Sequence, residues 1–160
     1  MFATPKTCLF AVLAAATSAG TAIALTAPKS AAGEGTDDDA HFSNKTIQGQ
    51  WGYGSTLGEF LPPAVPAPTP AAAVGRIFFD GNGNCQVEST TNLGGTMLRL
   101  SSSSCTYSVD PTGFGSAEAT FPGAPTSSPI PVAFVIVDHG REIDFANGNF
   151  IVGSFTAKRQ

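Results

Sequence analysis

Short apolar segments alternate with polar, glycine and proline positions from about residue 46 to the end of the chain. Within these segments apolar residues recur at every second position, which is the period of a β-strand with one buried face. In one of them Cys85, Val87 and Ser89 fall on one face, and the residues between them fall on the other. The pattern therefore predicts an all-β domain.

Turn-forming sequences divide this domain into eight or nine predicted strands. The segments that predict strands are residues 47–54, 73–79, 85–91, 96–100, 105–109, 114–121, 132–138, 141–146 and 150–157. Asp80-Gly81-Asn82-Gly83 and Asn147-Gly148 are typical of tight turns, because their residues tolerate positive φ. Two proline-rich loops, at residues 55–72 and 122–131, are longer.

A meander of this length predicts ring closure, because a flat sheet would expose two edges and one apolar face to water. We therefore predict a single antiparallel up-and-down barrel of about eight strands. A barrel of that size encloses side chains or one small ligand. A β-sandwich is the alternative, although sandwiches usually need longer connections than these turns.

The first 45 residues differ in composition from the predicted barrel. Residues 7–27 carry no charge and are rich in Ala and Thr, and Ala22-Ile23-Ala24 offers the small residues that a signal peptidase requires. We predict a signal peptide at residues 1–24, a disordered acidic linker at residues 25–45 and the β-barrel at residues 46–160. The predicted location is secreted or periplasmic, with no membrane insertion after cleavage. An uncleaved N-terminal membrane anchor is the alternative.

The charge distribution argues against binding to nucleic acid or to anionic lipid. The chain has a net charge of −4, and the basic residues of the predicted barrel, which are Arg76, Arg99, Arg141, Lys158 and Arg159, are scattered. Both partners require clustered Lys and Arg. The expected partner is a small hydrophobic molecule.

Cysteine usage fits an oxidising compartment. Cys8 belongs to the predicted leader, which leaves Cys85 and Cys105 as an even pair. If another strand separated them, their Cα atoms would lie about 9.6 Å apart, beyond bridging distance. A disulfide therefore requires both residues to lie at one end of the barrel, and two buried free thiols are the alternative.

The two ends of the predicted barrel carry a recognisable pattern. Gly49-Gln50-Trp51 begins the first strand, and Arg159 follows the last one. This arrangement resembles the calycins, and the turns at Asp80 and Asp110 resemble small exported barrels related to allene oxide cyclase. The lipocalin resemblance implies that the tryptophan closes the barrel floor and that the arginine packs across its ring. Such a contact contributes about 0.5–2 kcal/mol.

Several aromatic and polar side chains are candidates for the barrel interior. The predicted ligand-binding residues are Tyr53, Phe79, Arg99, Tyr107, Glu118, Phe134 and Phe145. Phe114 and Phe155 are expected to help enclose them. A carboxylate or phenol among these rings would have a shifted pKa and could orient a ligand. The alternative is that the aromatic residues simply fill the core.

No residue pattern indicates catalysis or a cofactor. His139 lies in a predicted turn, and Asp80, Asn82 and Asn84 match only the beginning of a calcium loop, so a hairpin turn is favoured there. Too few ligands remain for zinc. The sequence thus predicts a non-catalytic exported barrel that binds a small apolar or amphipathic ligand. The alternatives are an isomerase or cyclase, as the resemblance implies, and a surface-interaction module.

Overall fold

A computed structural model of the protein describes residues 41–126 and 129–160, which form one antiparallel sheet of nine strands. The strands are β1 (Gly49–Phe60), β2 (Thr69–Phe79), β3 (Cys85–Leu93), β4 (Thr96–Ser101), β5 (Ser104–Val109), β6 (Phe114–Thr120), β7 (Ile130–Val137), β8 (Glu142–Asn147) and β9 (Ile151–Arg159). Short 3-10 helices lie at Asn44–Ile47 and Asp138–Gly140. The all-β prediction is confirmed, and each predicted strand is present.

The terminal strands pair with each other, as ring closure requires. Trp51 lies opposite Arg159 and Phe60 lies opposite Ile151 in the β1–β9 ladder. Every other hydrogen-bonded neighbour in the sheet is consecutive in the chain, so the order is β4-β3-β2-β1-β9-β8-β7-β6-β5. The sheet therefore has two ends, β4 and β5, that are also consecutive in the chain.

These two ends meet and close the barrel. Ser102 exchanges hydrogen bonds with Val87 on β3, and the next residue, Ser103, donates its amide to Thr120 on β6. Beyond this point Thr106 forms a bridge to Asn84, next to β3. The chain thus bends between β4 and β5. As a result β4 pairs side by side with β3, whereas β5 pairs with β6 in the barrel wall. The predicted closed barrel is confirmed, with β4 as an additional strand beside it.

The Cys85–Cys105 disulfide lies at this junction. The Cα atoms of the two cysteines are 4.8 Å apart. β4 pairs only with the part of β3 from Glu88 onwards, so it does not separate the start of β3 from β5. The predicted disulfide is therefore confirmed, although the two cysteines lie on strands beside the interior cavity and not in turns at one end of the barrel.

The interior contains two clusters of buried side chains. The floor cluster consists of Ile47, Trp51, Ile77, Phe79, Tyr107, Phe134, Ile136, Ile143, Phe145 and Ala157. The mouth cluster, at the opposite end, consists of Phe60, Val65 and Ala71, with Ala64, Leu93 and Ile151 packed against it. Alternate positions on each strand supply these residues, which is why the period of two in the sequence marks the core.

Trp51 and Arg159 are in contact at the floor of the barrel, in the arrangement that the lipocalin resemblance implies. The Cζ atom of Arg159 lies 4.8 Å from the centre of the Trp51 ring, and its guanidinium donates to the carbonyls of Thr46 (2.6 Å) and Gln48 (2.8 Å). The indole nitrogen of Trp51 donates to the carbonyl of Ile47 at 2.8 Å. Gly49 turns the chain into β1 with a φ of 122°, which favours glycine.

The folded part begins before the predicted domain boundary. The Phe42 amide donates to Pro111, and the Asn44 side chain accepts a hydrogen bond from the Val109 amide at 2.8 Å. Residues 42–45, which the sequence assigned to the linker, therefore pack against the barrel. The predicted signal peptide and residues 25–40 of the predicted linker lie outside the described residues.

The first proline-rich loop is shorter than expected, because β1 and β2 continue past their predicted ends. Glu59 pairs with Pro70, and Phe60 pairs with Thr69. Proline is tolerated there because Pro70, near the start of β2, lies just beyond the last pair of the β2–β3 ladder, Ala71 with Leu93. Its carbonyl accepts a hydrogen bond from the Gly94 amide at 2.9 Å. The remaining connection, residues 61–68, buries Val65 in the mouth cluster.

Candidate functional site

A cavity of about 140 Å³ lies inside the barrel between the floor and mouth clusters. Its wall is mainly apolar, with side chains that include Phe79, Val87, Ala117, Val132, Phe145, Ile151 and Phe155. Leu100 of β4 and Phe121 and Ala124, which follow β6, line it near the junction of the two sheet ends. The cavity is thus bounded by the barrel wall and by the bend that closes it.

A row of aromatic rings crosses four neighbouring strands beside this cavity. Phe145 and Phe155 stack with their centres 4.4 Å apart, Phe134 lies 5.4 Å from Phe145, and Tyr53 lies 5.1 Å from Phe155. Such pairs add about 0.5–1.5 kcal/mol each beyond the area that they bury. The row makes this wall of the cavity rigid and apolar.

The cavity wall is more polar at β3, where the hydroxyl groups of Ser89 and Thr91 line the cavity. Ser89 Oγ lies 3.0 Å from Thr91 Oγ1, and the Ser89 side chain also interacts with the Tyr53 hydroxyl. Gly75 lies between Tyr53 and Ser89 in register, and any Cβ there would collide with the tyrosine ring. Burial raises the pKa of Tyr53 above its usual value, so the phenol stays protonated.

Three of the predicted ligand-binding residues line this cavity, and two are buried in the core outside its lining. Tyr53, Phe79 and Phe145 form part of its wall. Tyr107 and Phe134 belong to the floor cluster. The Tyr107 hydroxyl donates to the Asn44 carbonyl and accepts from the Gly81 amide, so its role is to join the floor to the preceding chain.

The predictions for Arg99 and Glu118 are wrong, because both side chains are exposed on the outer face. Arg99 lies between Leu98 and Leu100, which are less exposed, and Glu118 lies between two inward-facing alanines. The alternation of the strands therefore turns both charges towards water. Phe114 is also on the outside, with 61% of its surface exposed.

Ser89 and Thr91 were missed as candidates, although the sequence carried a signal for them. Both fall on the same face of β3 as Cys85 and Val87, and a hydroxyl on an inward-facing strand position is a candidate for ligand contact. Neither residue forms a recognised motif, so only the alternation of β3 could have identified them.

The Asp80 and His139 regions are structural turns. Hydrogen bonds from the side chain of Asn84 and from the amides of Asn82 and Asn84 hold the pKa of the Asp80 carboxyl below its usual value. The His139 side chain is 93% exposed. Within the described ranges no group of three or more His, Cys, Asp and Glu side chains is placed to hold a metal ion.

Comparison with known proteins does not assign the chain to a family. No family description, no curated protein and no solved structure matches it. Across residues 41–126 and 129–160, no helix has the length and hydropathy needed to span a membrane. The cavity and its lining are therefore the features of the molecule that bear on its function.

Proposed function

We propose that the protein is an exported β-barrel that binds a small apolar or amphipathic molecule inside the barrel, without catalysing a reaction. The observation that carries this proposal is the apolar cavity of about 140 Å³ between the floor and mouth clusters. An engineered apolar cavity of about 150 Å³ in another protein stays dry and binds benzene or xenon. The size of the cavity thus favours a molecule of roughly one aromatic ring.

Export is supported by two independent features. The Cys85–Cys105 disulfide is typical of proteins in oxidising compartments. The uncharged segment at residues 7–27 has the composition of a cleaved leader. We infer that the barrel acts outside the cytoplasm, as a secreted or periplasmic protein.

An isomerase or cyclase is less well supported than a binding protein. An enzyme of this kind must enclose its whole substrate, and a pocket for a drug-sized molecule has about 300–1,000 Å³. The cavity is smaller than this range. The calycin resemblance remains a proposal, supported by the contact between Trp51 and Arg159.

A cavity-filling variant tests the binding function. Ala117 lines the cavity, whereas Ala133, on the next strand, is exposed on the outer face. Ala117→Leu places three extra carbons in the cavity, so we expect toluene to bind it at least about tenfold more weakly than the wild type. Ala133→Leu makes the same chemical change outside and should bind toluene like the wild type. Titrations followed by methyl NMR measure both affinities.

Two results would contradict the proposed function. One is a wild-type protein that does not bind toluene, and the other is equal affinity in the two leucine variants. Circular dichroism and thermal unfolding establish that each variant is folded before the titration. The physiological ligand can then be sought as the molecule that Ala133→Leu retains from a metabolite extract and Ala117→Leu does not.

A further inference from the structure

The hydroxyl groups of Tyr53, Ser89 and Thr91 form a linked chain on the cavity wall. Ser89 Oγ lies 3.0 Å from Thr91 Oγ1 on one side, and the Ser89 side chain interacts with the Tyr53 hydroxyl on the other. Thr91 is buried, with 7% of its surface exposed. All three side chains line the cavity. They are therefore the polar groups that a molecule bound beside β3 would meet.

The hydrogen-bond count of this chain leaves at least one donor without a partner. Each hydroxyl has one proton to donate, and at most two hydrogen bonds can link three groups in a row. Among the described residues these side chains have no other hydrogen-bond partner. At least one O–H group, on any one of the three residues because Ser89 can accept two hydrogen bonds, is consequently free to donate into the cavity. A buried donor without an acceptor is unfavourable, so the wall favours a ligand that supplies one.

The absence of charged side chains among the described residues of the lining also restricts the charge that a ligand can carry. None of the described residues that line the cavity is Lys, Arg, His, Asp or Glu. The other polar side chains of the wall are neutral, and Ser55 is already bonded to the backbone of Ala73. A carboxylate inside this cavity would lose its hydration without gaining a counter-charge.

We propose that the Tyr53–Ser89–Thr91 chain selects neutral ligands that carry a hydrogen-bond acceptor, such as a carbonyl or ether oxygen, and that the cavity excludes carboxylates of the same size. This inference rests on the proposed binding function and adds the class of ligand. Because burial keeps the Tyr53 phenol protonated, the donor is present throughout the neutral pH range.

Three probes of equal heavy-atom number test the inference. Acetophenone carries a carbonyl oxygen, α-methylstyrene replaces that oxygen by a methylene group, and benzoate replaces the methyl ketone by a carboxylate. The measured quantity is the preference, defined as the affinity for acetophenone divided by the affinity for α-methylstyrene. The preference is compared between the wild type and the near-isosteric variant Tyr53→Phe/Ser89→Ala/Thr91→Val, which removes all three hydroxyls.

We expect the triple variant to lower the preference by about three- to tenfold, which is the range for one hydrogen bond. Its affinity for α-methylstyrene should stay the same or rise, because the wall becomes more apolar. Benzoate should bind the wild type at least about tenfold more weakly than acetophenone at pH 7. If the triple variant does not fold, two smaller variants replace it: Tyr53→Phe removes one hydroxyl of the chain, and Ser89→Ala/Thr91→Val removes the other two. The preference for acetophenone must then fall in at least one of these variants.

The outcomes separate this inference from the binding function. If α-methylstyrene binds the wild type and the preference is the same in all folded variants, the hydroxyl chain does not select the ligand, although the cavity binds. Benzoate binding as tightly as acetophenone would overturn the exclusion of carboxylates. If neither neutral probe binds the wild type, the binding function and the inference both fail.

Discussion

Replacing Trp51 by alanine is expected to lower the free energy of unfolding by about 4 kcal/mol, close to the largest effect of a single core truncation. The Trp51 side chain is fully buried in the floor cluster, where it packs against Phe79 and under Arg159. Its removal leaves a large cavity and also deprives the Ile47 carbonyl of its donor. Urea unfolding followed by circular dichroism measures the loss.

An exposed aromatic residue provides the matched control. Phe114→Ala removes a ring whose surface is 61% exposed, so the expected loss is within about 1 kcal/mol. Arg159→Met separates the contribution of the charge, with an expected loss of about 1–2 kcal/mol from the cation–π contact and the hydrogen bonds to Thr46 and Gln48. If Trp51→Ala lowered the free energy of unfolding no more than Phe114→Ala does, the floor cluster would not be a main source of the stability of the fold.

Removal of the disulfide should have the second largest effect, about 3 kcal/mol. Cys85 and Cys105 are 20 residues apart in the chain, and their bond restricts the unfolded state by an entropy that grows with the logarithm of the loop length. Cys85→Ala/Cys105→Ala is compared with the wild type in oxidising buffer by urea unfolding. A reducing agent should destabilise the wild type by a similar amount and leave the double variant unchanged.

The effect should also be local, because the disulfide lies where the two ends of the sheet meet. Amides that bond across this junction, those of Val87, Ser102 and Tyr107, should exchange with solvent faster in the double variant. The amides of the β1–β9 ladder should change less. Uniformly faster exchange, or no loss of stability, would contradict the idea that the disulfide holds the closing junction.

Much of this fold could be predicted because its strands and turns are determined by short stretches of sequence. The alternation in β3 and β5 and the turns at Asp80 and Asp110 follow from residue type and backbone preference. Ring closure followed from the need to cover two sheet edges. The same alternation places Arg99 and Glu118 outside, so their assignment to the interior overlooked a signal in the sequence.

Other features depend on three-dimensional arrangement and had no local signal. The bend at Ser102 and Ser103 depends on which strand each residue bonds to, and the sequence shows only a run of serines. The contact between Tyr53 and Ser89 requires Gly75 to lie between them in register. The cavity is the space that remains after all side chains pack, so neither its volume nor its lining follows from any one segment.

The central claim is that the closed barrel encloses an apolar cavity able to hold a small molecule, and a crystal structure under xenon pressure tests it most directly. We predict a xenon atom inside the barrel beside Val87 and Phe145, and its loss in Ala117→Leu but not in Ala133→Leu crystals. An interior filled by side chains or by ordered water, with no xenon in the wild type, would contradict the account.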